Sequence, residues 1–289
     1  MKARRTNRTK ESSEQSWTTP RGKQALKGML AALALLFVTT VTGFSQSPGK
    51  MATLKVGATP IPHGDLLQLV KPDLEAQGIR LEIVELTDYV TPNILLAEKQ
   101  LDANFFQHLP YLNDFCADRK LQLESAGQVF VAPLGLYSKK YKKLDDIPAG
   151  SVITLPNDPT NEARALILLQ NRGLIRLDSK AGLKATIRDI VDNPKRFIFR
   201  EIEAPQLPRT LDDAAAAIIN GTWAMQSGFI PARDSLILEG AESPYANIVA
   251  VRKGEALDPR ITALVKALQS QKIKDYLISK YKGSFVPAF

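Results

Sequence analysis

The scarcest reactive groups in this 289-residue chain are one thiol, Cys116, and two imidazoles, His63 and His108. A single cysteine rules out an intramolecular disulfide, and one thiol with two imidazoles is too few for a zinc site of Cys or His type. Cys116 lies in YLNDFCADRK, where a helix puts Tyr111, Leu112, Phe115 and Cys116 on one apolar face, the setting of a buried, inert thiol. No GxGxxG follows a strand pattern, and neither GxxxxGK[ST] nor a GxSxG elbow occurs. The turn chemistry of nucleotide sites and of α/β-hydrolase nucleophiles is therefore missing. No catalytic residue, metal or cofactor is assigned. A secreted hydrolase using His108 with a neighbouring Ser or Asp stays open as an alternative, as does an adhesin-like interaction protein.

A different chemistry suits the polar residues at segment ends. In LPNDPTNEARALILLQNRGLI, Asp158 reads as a helix N-cap, Pro159 as the first helical residue and Gly173 as the terminator, so Arg164 falls in the opening turns. A cation there opposes the positive end of the helix dipole, and its guanidinium with nearby free N–H groups would receive a carboxylate from outside. The alternative is a solvated arginine paired with Glu162 or a loop carboxylate. Asn220 closes the apolar run AAAAIIN, and Asn247 opens a second run in SPYANIVAV. Each amide offers a donor and an acceptor, which suits a ligand carrying both ammonium and carboxylate, although either Asn could simply bond its own backbone in a turn. Tyr89 follows RLEIVELTD, and Phe105, Phe106 and His108 follow LDA. These aromatics read either as core or as the wall of a cleft.

Strands and helices must alternate to place these residues. Short apolar runs (LKVGAT, RLEIVEL, SVITLP at 151–156, FIFREIE at 197–203, SLILE at 235–239, NIVAVRK at 247–253) are separated by amphipathic stretches. An α/β sheet architecture follows, with ligands expected at strand ends. QVFVAPLGLYS (128–138) is apolar but broken by APLGL. Two lobes are expected, 46–133 plus 248–289 and 134–247, joined by crossings near 132–136 and 243–248, with the last two helices returning to the first lobe.

The charge sits mostly at the front. Residues 1–28 hold eight basic side chains against two acidic ones, and residues 29–45 hold none. The apolar run 29–41 is shorter than the roughly 20 residues a membrane-spanning helix needs, and GFSQS follows it. Basic, apolar and small-residue regions in that order describe a secretory signal over 1–45. Without it the formal +8 falls to +2, with 30 basic and 28 acidic residues remaining. Nucleic acid is not an expected partner.

The segments TDYVTPNILLAEKQLDANFFQHLPYL, LPNDPTNEARALILLQNRGLI, AAAAIINGTWAM, SPYANIVAVR and the terminal VPAF resemble the methionine-binding lipoprotein family of MetQ/NlpA type, in unbroken order over 54–289. The resemblance implies a type II periplasmic-binding-protein fold with two α/β lobes and two hinge crossings. It implies an extracytoplasmic, monomeric, non-enzymatic receptor for L-methionine, a related amino acid or a methionine-containing dipeptide, serving an ABC permease and its ATPase. Carried over by position, it gives the ligand carboxylate to Arg164, the amino and carboxylate groups to Asn220 and Asn247, and the thioether pocket to Tyr89, Phe106 and His108. Asn161 is a further candidate on the Arg164 helix face. If His108 titrates near the usual 6.5, binding should weaken as pH falls through that range. Two departures stand out. GFSQS lacks the cysteine that family members place after the signal, so a lipid anchor is not expected, and membrane association would come through the permease or an uncleaved signal. Thr222–Trp223 stands where relatives often have a polar residue and Tyr.

Overall fold

A computed structural model describes residues 51–240 and 243–289, and the signal segment expected at 1–45 lies outside these residues. The chain runs β1 (Ala52–Ala58), α1 (Asp65–Glu75), β2 (Ile79–Glu85), α2 (Thr91–Ala97), β3 (Ala103–His108), α3 (Leu109–Arg119) and β4 (Leu123–Val131). It continues with β5 (Leu134–Tyr137), β6 (Val152–Pro156), α4 (Pro159–Asn171), β7 (Arg176–Leu177), β8 (Ile190–Asp192), β9 (Ile198–Ile202), α5 (Leu207–Thr210), β10 (Ala216–Asn220), α6 (Gly221–Gln226), α7 (Pro231–Asp234) and β11 (Ile237–Leu238). β12 (Ala246–Arg252), α8 (Pro259–Leu268), α9 (Gln271–Tyr281) and β13 (Val286–Pro287) complete it.

Two mixed sheets result. One has the order β13-β4-β12-β3-β1-β2 and the other β11-β5-β10-β6-β9, with β7 and β8 as a separate pair. β1 runs parallel to β2 and β3, while β12 lies antiparallel between β3 and β4. In the second sheet β6 is parallel to β9 and β10, and β5 is antiparallel to β10 and β11. The chain passes between the sheets after Val131 and returns before Ala246. The broken apolar run 128–138 therefore serves both sheets, β4 ending in one and β5 starting in the other. Pro133 lies in the break and has no N–H to offer a continuing ladder. The run at 235–239 keeps only Ile237 and Leu238 as strand, because it is a two-residue edge paired on one side with β5.

Each sheet carries its own apolar core. Leu66, Leu67, Val70 and Leu74 of α1, Ile261, Leu264 and Leu268 of α8, and Ile273, Leu277 and Tyr281 of α9 bury helical stripes against β1, β3 and β12. Each such Leu or Ile stabilises the fold by about 1.5 to 3 kcal/mol. The two final helices thus pack on the first sheet. On the second sheet, α4 buries Ala165, Leu166 and Leu169 against Ile153, Leu155 and Ile218. Helix starts are fixed locally. Asp158 caps α4 by accepting from the Asn161 N–H at 3.0 Å, with Pro159 first in the helix. Gly173, at φ 69°, supplies the left-handed residue that ends it.

Candidate functional site

The C-terminal ends of the parallel strands in both sheets face one cavity of about 320 Å³, counting its mouth. Tyr89, Phe106, His108, Asn161, Arg164, Asn220 and Asn247 line it. Gln107, Tyr111, Ala132 and Thr222 complete the lining. Phe105 is the exception among the aromatics read at strand ends. Alternation along β3 puts Phe106 and His108 on the cavity side, while Phe105 packs in the first core against Phe130.

At one end, hydrogen bonds run in a defined direction. The Asp158 carboxylate can only accept, so the Asn161 amide turns its Nδ2 toward it, at 2.9 and 3.1 Å from the two oxygens. Asn161 Oδ1 then receives Asn220 Nδ2 at 2.8 Å. Asn220 is the last residue of β10, and its Oδ1 is left buried with no partner among the described residues. An unmatched buried acceptor is costly unless a donor arrives. Gly221 must follow it, because a Cβ there would lie 2.8 Å from the Pro133 carbonyl oxygen.

Arg164, the sixth residue of α4, is 2% exposed and already has an anion. Its Nε donates to Glu239 Oε1 at 2.9 Å, and Nη2 donates to Glu239 Oε2 and, at 2.9 Å, to the Ala132 carbonyl oxygen. The guanidinium lies 4.3 Å from the Tyr245 ring centroid. The internal partner is the loop carboxylate weighed as the alternative in the sequence, with Glu239 in place of Glu162. Glu239 lies just beyond β11, where the chain leaves the second sheet, and also accepts from the Leu134 N–H at 3.2 Å. Both connections between the sheets are thereby tied to the base of α4. Nη1 has no acceptor among the described residues, and Arg164 lines the cavity.

The other end is aromatic. Asp88 accepts from the Val90 and Thr91 N–H groups at 2.7 and 2.6 Å, which sets the turn carrying Tyr89 into α2. The Tyr89 ring lies 5.8 Å from Phe106, 6.0 Å from Tyr111 and 5.4 Å from Trp223. The Tyr111 hydroxyl donates to the Tyr89 carbonyl oxygen at 2.7 Å. Trp223 lies outside the lining, its buried ring backing Tyr89, while Thr222 reaches the lining.

His108 joins the two ends. Its Nδ1 accepts from the Tyr111 N–H at 3.1 Å, and Nε2 lies 3.2 Å from Asn161 Oδ1. Both nitrogens are engaged, so a general-base role has no free lone pair to use. Burial, with the Arg164 charge nearby, pushes the imidazole down to about 3. The expectation that binding responds near pH 6.5 is corrected accordingly, since burial rather than the free-imidazole value governs this ring. Cys116 is only partly buried on α3, short of the buried setting expected, and burial raises its thiol. No group of three or more His, Cys, Asp or Glu side chains that could hold a metal occurs among the described residues.

Sequence reasoning missed three parts of this site. Glu239 ends a strand candidate, which was a usable signal. Tyr111 and Gln107 sit in segments already noted, but nothing in their spacing separates lining from core.

Two α/β sheets joined by two crossings, with a small cavity at the strand ends, define a periplasmic-type substrate-binding protein. Within that class the chain belongs to the NlpA lipoprotein family, whose model matches residues 54–289. The D-methionine-binding lipoprotein MetQ of Yersinia pestis is 41% identical over 263 residues, covering 90% of this chain and 97% of that protein. A nutrient-binding protein from Burkholderia cenocepacia, solved bound to methionine, has a TM-score of 0.79 at 42% identity, covering 82% of this chain and all of the other (100%). Lipoprotein Tp32 of Treponema pallidum gives 0.81 at 40% identity, covering 83% and 100%. Among the described residues no helix is long and apolar enough to cross a membrane.

Proposed function

We propose that this chain is a non-enzymatic, exported solute receptor that captures methionine and presents it to an ABC permease with its ATPase. The observation that carries the reading is the unmatched Asn220 Oδ1 in a cavity that Arg164 and an aromatic wall also line. In this reading Asn220 Oδ1 accepts from the ligand ammonium, Arg164 and Asn247 donate to the carboxylate, and Tyr89, Phe106 and the carbon edge of His108 enclose the thioether. Sulfur against aromatic rings contributes about 0.3 to 1.5 kcal/mol. The two sheets are taken as the cores of lobes 46–133 plus 248–289 and 134–247, closing on the ligand by movement at the two crossings. The names of relatives support the ligand and the transport setting.

Calorimetric titration of ligand-stripped protein tests this. Reversible binding of methionine in either stereoisomer, without turnover, is expected, and glutamate and lysine should give no heat. Equal affinity for methionine and glutamate, or release of a product, would overturn the reading.

A further inference from the structure

His63 contributes nothing to the cavity lining, yet it touches a residue that does. It lies in the turn between β1 and α1 and is wholly buried, with its ring against Phe105 and Phe130 at 4.7 and 5.0 Å between centroids. Its Nδ1 is 2.7 Å from Thr59 Oγ1, and its Nε2 is 2.8 Å from Asn247 Oδ1. Thr59 is also wholly buried, and Asn247 is 4% exposed at the start of β12.

The direction of this relay follows from the Thr59 hydroxyl. Among the described residues its side chain has one partner, the His63 ring. If His63 donated from Nδ1, the hydroxyl proton would be buried with no acceptor, which costs more than an unused oxygen lone pair. Thr59 therefore donates to Nδ1, the single imidazole proton sits on Nε2, and Nε2–H donates to Asn247 Oδ1. Burial, which lowers the His63 imidazole to about 4 against the opposing bond from Asn247, keeps the ring neutral with one proton to place. The Asn247 amide is then held with its NH2 group as the free end, and that group has no acceptor among the described residues.

We propose that His63, set by Thr59, is a positioning residue that fixes the Asn247 amide with Nδ2 presented to the ligand carboxylate. The ligand part rests on the amino-acid receptor reading. The two cavity asparagines are then oppositely poled. Asp158 and Asn161 hold Asn220 with its acceptor outward, and Thr59 and His63 hold Asn247 with its donor outward. A free amino acid carries the complementary pair of charges, and one set in reverse would meet like poles at both ends.

Two measurements test this. Nitrogen NMR of the imidazoles in the whole protein should show His63 protonated at Nε2, with the His63→Gln spectrum identifying its signals. A His63 proton on Nδ1 would overturn the proposal, because the Asn247 oxygen would then face the cavity. The second is a cycle of His63→Leu, Asn247→Ala and the double variant, titrated with methionine. His63→Leu should weaken binding by about tenfold or more, and should add little once Asn247→Ala is present. His63→Gln, which keeps a donor near the Nε2 position, should recover most of the affinity. Additive losses, or no recovery in His63→Gln, would reduce His63 to a packing residue and overturn the role. If His63→Leu does not fold, the glutamine variant and the spectrum still decide. If the parent protein binds no methionine, the receptor reading fails, while the spectrum still decides the amide orientation.

Discussion

The polar and aromatic ends of the cavity are built on different principles. At the polar end each side chain is held by a chain of donors and acceptors that begins at a group with no choice, the Asp158 carboxylate, and ends at an unmatched atom, Asn220 Oδ1. Arg164 is likewise clamped by Glu239 and the Ala132 carbonyl. At the aromatic end Tyr89, Phe106, Tyr111 and Trp223 meet by tilted and edge contacts between 5.4 and 6.1 Å, which constrain shape and not direction. Hydrogen-bonded ends are intolerant of substitution because a lost partner strands a buried group, whereas rings can repack.

The contrast is testable, largest effect first. Arg164→Ala should weaken methionine binding by about 2 to 5 kcal/mol, since it removes a charge-assisted donor and leaves Glu239 without its partner. Arg164→Lys should not restore it, because an ammonium cannot hold Glu239 in a fork and also serve the ligand. Calorimetry reads both, and parental affinity in Arg164→Ala would show that the internal ion pair is the residue's whole role. Asn220→Leu should cost about 1.5 to 3 kcal/mol of binding, the scale of a hydrogen bond to a charged group, with little change in thermal unfolding. A variant that binds normally would break the direction argument at its last link.

Changes at the aromatic end should be smaller. Phe106→Ala should lose about 1 to 3 kcal/mol of methionine affinity through lost apolar contact, and should narrow the gap between methionine and polar amino acids in a competition assay. Norleucine, equal in length but without sulfur, should bind more weakly than methionine by about 0.3 to 1.5 kcal/mol, and selenomethionine about equally. The smallest effect expected is with pH. With His63 lowered to about 4 and His108 to about 3, both rings stay neutral well below 6.5. Affinity should hold near neutral pH and fall in acid, first as Asp158, whose carboxyl burial raises above its usual range, gains a proton and loosens its hold on Asn161, and then as pH drops through 4 and 3, when each Nδ1 gains a proton and can no longer accept from Thr59 or Tyr111. A midpoint near 6.5 in titrations at several pH values would show that these rings are hydrated.

Much of the scaffold was legible in the sequence, because local chemistry specifies it. Asp158, Pro159 and Gly173 mark the two ends of α4 by cap, fixed φ and left-handed backbone, all properties of single residues. Apolar alternation marks the strands. The lining residues were legible by strand ends and by family likeness together, since the spacing alone left Arg164, both asparagines and the aromatics with structural alternatives.

Which atom each side chain offers was not legible. Asn220 and Asn247 are identical in the sequence, and their amides are held by opposite atoms because the partners behind them lie 59 and 184 positions away. The same holds for Arg164, whose anion is 75 residues distant, and for His108, whose low basicity comes from burial between two sheets. The sequence by itself determined the elements and the residue types that reach the cavity, since these depend on short-range pattern and composition. Tertiary structure alone decided polarity, tautomer and pairing, because a hydrogen bond's direction is set by the whole chain of partners that folding brings into contact.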